Sequence, residues 1–446
     1  MNRPVLTPAK GTSPSPDQSD TARRRPDVDG AVRRTVLPHG LTVVSERMAS
    51  SRTFCVGIYA GVGSRQETAT RHGASHFLEH VLFKGTRRRT AEQISAAVES
   101  RGGELNAYTT KEYTCFYARV LAADADLATD VLTDMVTESR VRTADVDAER
   151  AVILDEIAMH ADDPSEVVAE QVADAVFSGS GLGKMVIGSP ESIEAMSRDT
   201  VVRHWRQHYR PGSLVVAAAG DVDHDRLVEQ VAALDAMAQA GSGPRAGVPT
   251  PETSQTGLVV ARRRIEQVQA VLAYRAGGLF DDRRYASGLL ASVLGGGMAS
   301  RLFVEVRERR GLTYGIDAGE TTYSDAGMWS VEFACAPERL GPILDVVRSQ
   351  LDSVAEHGVT ATELADAKTQ MRGQTVLSYE GPSSRMGRLG TTALLHDERS
   401  LDDVLARYDA VTPDELRAEA ARIFGQRPTL GLIGPRVPAA ATRPWA

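Results

Sequence analysis

The sequence predicts two similarly folded α+β domains, each a mostly antiparallel β-sheet with helices packed on it. Three observations point there. At 446 residues the chain is too long for one core and fits roughly two to three domains. Residues 236–257, AMAQAGSGPRAGVPTPETSQTG, are dominated by Gly, Pro, Ser, Thr and Ala, the composition of an exposed linker. On either side of that stretch the order of strand-like and helix-like segments repeats, although residue identity hardly does. The expected units are a flexible tail at 1–30, a first domain at 31–236, a linker at 237–256 and a second domain at 257–440.

The tail is rich in Pro, Ser, Arg and Asp and has no apolar run to serve as a signal-peptide core. Asp17, Asp20, Asp27 and Asp29 argue against an organelle transit peptide. Order begins at AVRRTVLPHGLTVVSERM, where apolar runs flank Pro38, His39 and Gly40 as two strands flank a turn. TFCVGIYAGVGS reads as a buried strand. Helical periodicity starts in GASHFLEHVLFKGT and returns in AEQISAAVESRGG, which stops at a Gly pair suited to a helix C-terminus. ELNAYTTKEYTCFYARV, rich in Thr, Tyr, Phe and Val, gives two strands. Helices follow in ADLATDVLTDMVTES and TADVDAERAVILDEIAMHADD, and GSLVVAAAGDVD closes the first domain with a buried strand.

After the linker, GLVVARRRIEQVQAVLAYRAG again gives strands. YASGLLASVLGGGMASRLFVEVRERRG is a helical region interrupted by glycines, LTYGIDAGETTYSDAGMWSVEFACA gives strands, and ERLGPILDVVRSQLDSVAEHG a helix. The LGGGM segment is no phosphate loop, because no Gly-Lys-Ser/Thr follows it.

Bulk composition narrows the function. With 42% hydrophobic and 25% charged residues the chain should bury cores rather than stay disordered. A net charge of -8 speaks against nucleic acid as a partner and is compatible with basic peptides. Cys55, Cys115 and Cys335 offer neither a closed disulfide set nor a Cys-x-x-Cys knuckle, so they read as buried thiols in a reducing compartment. No stretch approaches the roughly 18 to 20 apolar residues of a membrane span. The expectation is a cytoplasmic protein that does not enter a membrane.

The chemistry concentrates in HFLEH. On a helix His76 and His80 stand one above the other, close enough for two imidazoles to share a metal ion, and Glu79 projects from the same side. This is the His-x-x-Glu-His order of the inverzincins. Two histidines at this spacing also occur on ordinary helices, but Phe77, Leu78, Val81, Leu82 and Phe83 make this segment strongly apolar. Three polar residues on one side of it need a role. A catalytic zinc takes three protein ligands and leaves a fourth position for water, so one ligand has to come from elsewhere. ERAVILDEI supplies Glu149 and Glu156 on one side of a helix, with Asp155 roughly 100° round from Glu156. His160 and His72 also compete. His72 precedes Gly73 and falls before its helix starts, and His160, ahead of an acidic turn, reads as solvent-facing.

On HFLEHVLFKGT, GGELNAYTTKEYTCFYARV, ERAVILDEI and LGGGMASRLFVEVRERRGLTYGIDA, in that order, residues 31 to 435 resemble the pitrilysin-like zinc metallopeptidases. Within them the resemblance is to the branch of mitochondrial processing peptidase and its bacterial relatives. It implies that His76, His80 and Glu156 bind one Zn2+ per chain, that Glu79 is the general base, and that Glu149 is a further catalytic carboxylate with an electrostatic or ligand-holding role. It also implies that Asn106 and Ala107 of LNAY lie on an edge strand that adds a peptide substrate as another strand, and that Arg307 and Tyr314 reach substrate from the second domain. SGLGKMVIGSPESI departs from the His-Pro-Leu-Gly pattern the family carries there, which should alter local contacts in the first domain.

The resulting expectation is a zinc metalloendopeptidase that cuts unfolded or presequence-like peptides inside a closed chamber. Larger family members join four such domains and this chain has two, so a homodimer is expected. The alternatives are a non-catalytic core or regulatory subunit and a catalytic subunit active only with a different, metal-free partner chain. The intact His76, Glu79, His80 and Glu156 speak against the first.

Overall fold

The structure, a computed structural model, describes residues 30–237, 254–442 and 445. The expected tail and most of the expected linker lie outside these residues. Strands β1 (Val32–Val36), β2 (Thr42–Arg47), β3 (Thr53–Ala60), β4 (Glu104–Thr109), β5 (Thr114–Leu121) and β6 (Leu214–Gly220) form one sheet in the order β1-β2-β6-β3-β5-β4. Strands β7 (Gly257–Arg262), β8 (Val268–Ala276), β9 (Ile316–Thr322), β10 (Gly327–Cys335) and β11 (Thr429–Gly434) form another in the order β7-β11-β8-β10-β9.

Leaving β1 aside, the two orders correspond strand for strand. Each sheet has one parallel pairing, β2 with β6 and β7 with β11, and its other pairings are antiparallel. The repeated order of elements thus reflects a repeated topology. Central strands β3, β6 and β11 are buried almost throughout, which is why TFCVGIYA, LVVAAAG and TLGLIG read as continuous apolar runs rather than alternating ones. The first sheet ends at β4, whose residues alternate between exposed and half-buried.

The helices that position the site come from the first domain: α1 (Ala74–Leu82), α2 (Ala91–Glu99), α3 (Ala125–Glu138), α4 (Thr143–Asp162) and α5 (Pro164–Val176). Local sequence sets their starts. Thr90 and Gln93 form a capping box on α2, and the Asp163 carboxylate accepts from Ser165 N and Glu166 N ahead of Pro164 in the first turn of α5. On one face of the first sheet Val56, Ile58 and Phe116 pack with Phe77, Leu78 and Val81 of α1, Leu132 and Met135 of α3, and Ile153 of α4. All three cysteines are free thiols buried in the packing.

The opposite face of each sheet is covered by a helix from the other half of the chain. Met386, Leu389 and Leu394 of the helix Pro382–Leu395 pack on Val44, Tyr59, Cys115 and Ala217 of the first sheet. In return Val168, Val172 and Val176 of α5 pack on Val271, Ala273 and Ile433 of the second sheet. Each half thus has a core of its own and lends one helix to the free face of the other's sheet.

A buried ion pair adds to this exchange. The Arg65 side chain, 4% exposed, donates to Glu112 Oε1 at 2.7 Å, and across the domain boundary to Ser324 Oγ at 3.1 Å and Asp325 Oδ2 at 2.6 Å. Ser324 donates its backbone N–H to Glu112 Oε2 at 2.9 Å and its hydroxyl to Glu112 Oε1 at 2.5 Å.

Candidate metal centre

α1 has no cap of its own. The preceding Gly73 sits at φ +88°, where a side chain would be strained, and a Cβ there would lie 2.8 Å from Ile187 O and 2.9 Å from Gly188 Cα. Those two residues belong to the segment that departs from the family pattern, and the same segment offers Met185 O to His72 Nε2 at 2.7 Å. His72 is held outside the helix, as its place before Gly73 suggests. The first turn of α1 is capped at a distance by Glu67, which accepts from Gly73 N at 2.7 Å and from Ser75 N at 2.6 Å. Burial pushes the Glu67 carboxyl up to about 7, against the pull of those N–H donors.

The apolar side of α1 (Ala74, Phe77, Leu78, Val81, Leu82) belongs to the core, so its polar stripe faces α4 and β4. The His76 and His80 rings lie 4.6 Å apart, edge to face. Across from them, Val146, Ile153 and Ile157 anchor α4 in the core. This brings Glu156 Oε2 to 3.6 Å from His76 Nε2 and 3.6 Å from His80 Nε2. Among the described residues, these three are the one group of His, Cys, Asp or Glu whose ligand atoms all lie within 4.8 Å of one another.

The donor set fits a divalent ion. Glu156 Oε2 is buried and has no hydrogen-bond partner among the described residues. Burial, helped by the neighbouring His80 and His160, holds His76 down to about 3, so its imidazole is neutral with a lone pair to give. His80 Nδ1 is 3.0 Å from Glu149 Oε2. That contact places the ring proton on Nδ1 and leaves Nε2 as the donor towards the centre. Glu149, 5% exposed, also pairs its Oε1 with Lys84 Nζ at 2.6 Å. Two imidazoles and a carboxylate, with a fourth side left for water or substrate, are the ligand set of a hydrolytic zinc site.

Glu79 lies beside this trio, between α1 and the end of β4. Thr109 Oγ1 donates to its Oε2 at 2.5 Å. Burial raises the Glu79 carboxyl above the usual range, and the Thr109 bond and nearby His80 oppose that rise. Asn106 and Ala107 lie on the same strand, which pairs on one side with β5 and has no strand on the other among the described residues. Asn106 is exposed, its Oδ1 accepting from Ala107 N at 2.8 Å, and Ala107 packs against the first core. The open edge therefore leads to Thr109 and, through it, to Glu79.

Arg307 and Tyr314 meet each other rather than the histidines. The Arg307 guanidinium carbon lies 5.3 Å from the centre of the Tyr314 ring and 4.8 Å from that of Phe303, and Tyr314 is 88% exposed. Tyr314 lines a cleft of about 350 Å³ between α5 and the second sheet, and Ser165 of α5 lines it too. The next residue, Glu166, meets His160 Nδ1 in a close pair, and His160 Nε2 lies 3.8 Å from Glu156 Oε1. His160 is thus half-buried and partnered rather than solvent-facing, because α5 folds back and brings Glu166 over the end of α4.

Thr109, Lys84, Glu67 and Glu166 surround the site but were not singled out by the sequence pattern. Lys84 had a signal, since it stands four residues after His80 on the helix line. Glu67 had none, because the turn that returns it to α1 has no periodicity.

Residues 42–189 match the family described as insulinase (peptidase family M16), and residues 195–371 match the peptidase M16 inactive domain. An uncharacterized zinc protease of Streptomyces coelicolor is 45% identical over 414 residues, 91% of this chain and 90% of the relative. The chain belongs to peptidase family M16.

All five residues around the centre, His76, Glu79, His80, Glu149 and Glu156, fall in the M16 segment matched at 42–189, and Arg307 and Tyr314 in the one described as inactive. Two solved structures share the M16 fold. A protease from Helicobacter pylori superposes with a TM-score of 0.85 at 19% identity over 92% of this chain and 100% of its own. A peptidase M16 inactive domain from Pseudomonas fluorescens gives 0.83 at 20% identity over 91% and 98%. Among the described residues no helix is long and apolar enough to cross a membrane.

Proposed function

We propose that this M16 chain is a zinc-dependent metalloendopeptidase that hydrolyses unfolded or presequence-like peptides, with one Zn2+ held by His76, His80 and Glu156. The observation that carries the reading is the unpartnered Glu156 Oε2 facing the Nε2 atoms of both histidines at 3.6 Å. Bound zinc supplies Lewis acidity to the attacking water and the scissile carbonyl.

The rest is done by the chain's own groups. Glu79, held by Thr109 beside the trio, takes the proton of the attacking water and returns it to the leaving nitrogen. Glu149 fixes the His80 ring through one oxygen and is itself held by Lys84 on the other. β4 receives the peptide as an added strand past Asn106 and Ala107, so main-chain hydrogen bonds supply affinity with little sequence preference. Half-buried Arg307 and exposed Tyr314, on the second domain, contact substrate across the chamber. Because one chain carries both this pair and the metal ligands, the active form we propose is a cytoplasmic homodimer.

The test is cleavage of a quenched-fluorescent peptide library by wild type and Glu79→Gln, with bound metal quantified. Wild type should carry about one zinc per chain and cleave. Glu79→Gln should keep the metal and lose about 10²- to 10⁴-fold in rate. Equal cleavage by both proteins would remove Glu79 from the mechanism. A zinc-free, inactive wild type would instead favour a non-catalytic subunit, and a zinc-loaded, inactive one, monomeric by gel filtration with mass measurement, an obligate partner chain.

A further inference from the structure

We propose that Glu67 is a positioning residue of the hydrolytic site, fixing the helix that carries His76, Glu79 and His80 by capping its first turn from outside. This rests on the reading of the trio as a zinc site.

α1 lacks a cap of its own. Its first backbone N–H groups have no partner within the helix, and a buried helix start needs one. Gly73 has no side chain to supply it. Glu67, 7% exposed, does so with both oxygens, one on Gly73 N and one on Ser75 N. Two hydrogen bonds at 2.7 and 2.6 Å define the orientation of the first turn as well as its position. His76 is the next residue after Ser75, so a shift of this turn is a shift of His76. Ser75 is held a second time, through its hydroxyl, by His204 Nε2 at 3.1 Å.

The capping residue is itself anchored. Glu67 ends a short turn whose buried Arg65 pairs with Glu112 and with the more exposed Asp325. The backbone of that turn is tied down as well, Ser64 N and Arg65 N donating to Thr110 O and Lys111 O at 3.2 and 2.8 Å. The turn therefore bears on the second domain at Arg65 and on the metal-binding helix at Glu67. A carboxylate in this place makes the position of His76 depend on a rigid, interdomain element instead of on the free end of a nine-residue helix.

The role is separable from general stability. Glu67→Gln conserves volume but replaces one acceptor oxygen with an amide that cannot accept from a backbone N–H. Glu67→Asp keeps the charge but is one methylene too short to span both donors. Zinc affinity of the apoprotein, measured by competition with a chromogenic chelator, should fall about 10- to 100-fold in Glu67→Gln, the range seen when an outer partner of a metal ligand is lost. The visible absorption spectrum of the Co2+-substituted protein should change, and kcat should fall with KM little altered. Glu67→Asp should show the same changes to a smaller degree, and it replaces Glu67→Gln in every measurement should that variant not fold.

Wild-type zinc affinity and an unaltered Co2+ spectrum in a folded variant would overturn the proposal, as would a loss of activity that merely follows a lower melting temperature. Should wild type itself bind no zinc, the zinc reading fails, whereas equal binding by wild type and variant removes the role of Glu67 alone.

Discussion

In the first domain the helix that follows β3 turns His76, Glu79 and His80 away from the core, towards α4 and the end of the edge strand β4. In the second domain the helix Arg284–Gly295, which follows the corresponding strand β8, buries Tyr285, Ala286, Ser287, Leu289, Leu290 and Leu294. Both helices lie between equivalent strands of sheets with the same order. The edge strands diverge in the same way. β4 offers Thr109 to Glu79, while β9 carries Glu320, whose buried carboxyl is pushed up to about 7. A shared scaffold thus places a carboxylate between helix and edge strand in both halves, but among the described residues only the first half surrounds it with two imidazoles and a second carboxylate. Topology supplies the place and a handful of side chains supplies the chemistry.

The comparison breaks most sharply at the carboxylates. Glu156→Gln should weaken zinc binding by more than the roughly 100-fold that losing an outer partner costs, and activity should follow. Glu320→Gln should leave zinc binding and turnover unchanged, and isothermal titration and a peptide assay on the two variants check both statements. Glu320 should matter to stability instead, with a definite sign. Its folded pKa of about 7 stands above the ordinary 4.5, so between those values the folded state holds more protons than the unfolded one and stability falls as pH rises. Glu320→Gln should therefore be more stable than wild type by on the order of 1–3 kcal/mol above pH 7, the advantage vanishing below about pH 4.5. Urea unfolding at both pH values measures it.

A smaller effect sharpens how far the halves depend on each other. Arg65→Ala leaves Glu112, 12% exposed, without its buried partner, while Asp325, 41% exposed, can be rehydrated. The expected cost is about 3 kcal/mol, the low end for breaking a buried pair, with both domains unfolding in one transition because each sheet is covered by the other half's helix. Two separate transitions in denaturant would contradict that coupling.

Much of this was legible in the sequence because it is local. The spacing of His76, Glu79 and His80 carries its own geometry once the helix is recognised, and Glu149 and Glu156 share one side of α4 by the same periodicity. The order of elements along the chain could be matched between halves because buried strands such as LVVAAAG announce themselves by composition. What sequence could not show is what depends on long-range docking. The exchange of α5 and the helix Pro382–Leu395 has no pattern, since a helix that packs on a foreign sheet is as amphipathic as one that packs on its own. His160 read as solvent-facing because its partner Glu166 arrives only when α5 folds back. Glu67 lies in a turn, where hydrogen bonds to backbone leave no periodic trace.

The central claim is that the first domain alone holds one zinc, through two imidazoles and a carboxylate. X-ray absorption at the zinc K-edge, on protein loaded with one equivalent of zinc, tests it most directly. The expected result is a mixed nitrogen and oxygen shell at about 2.0–2.2 Å with imidazole multiple scattering from two rings, reduced to one ring in His80→Ala. An all-oxygen shell, a sulfur contribution near 2.3 Å, or a spectrum that His80→Ala leaves unchanged would contradict it.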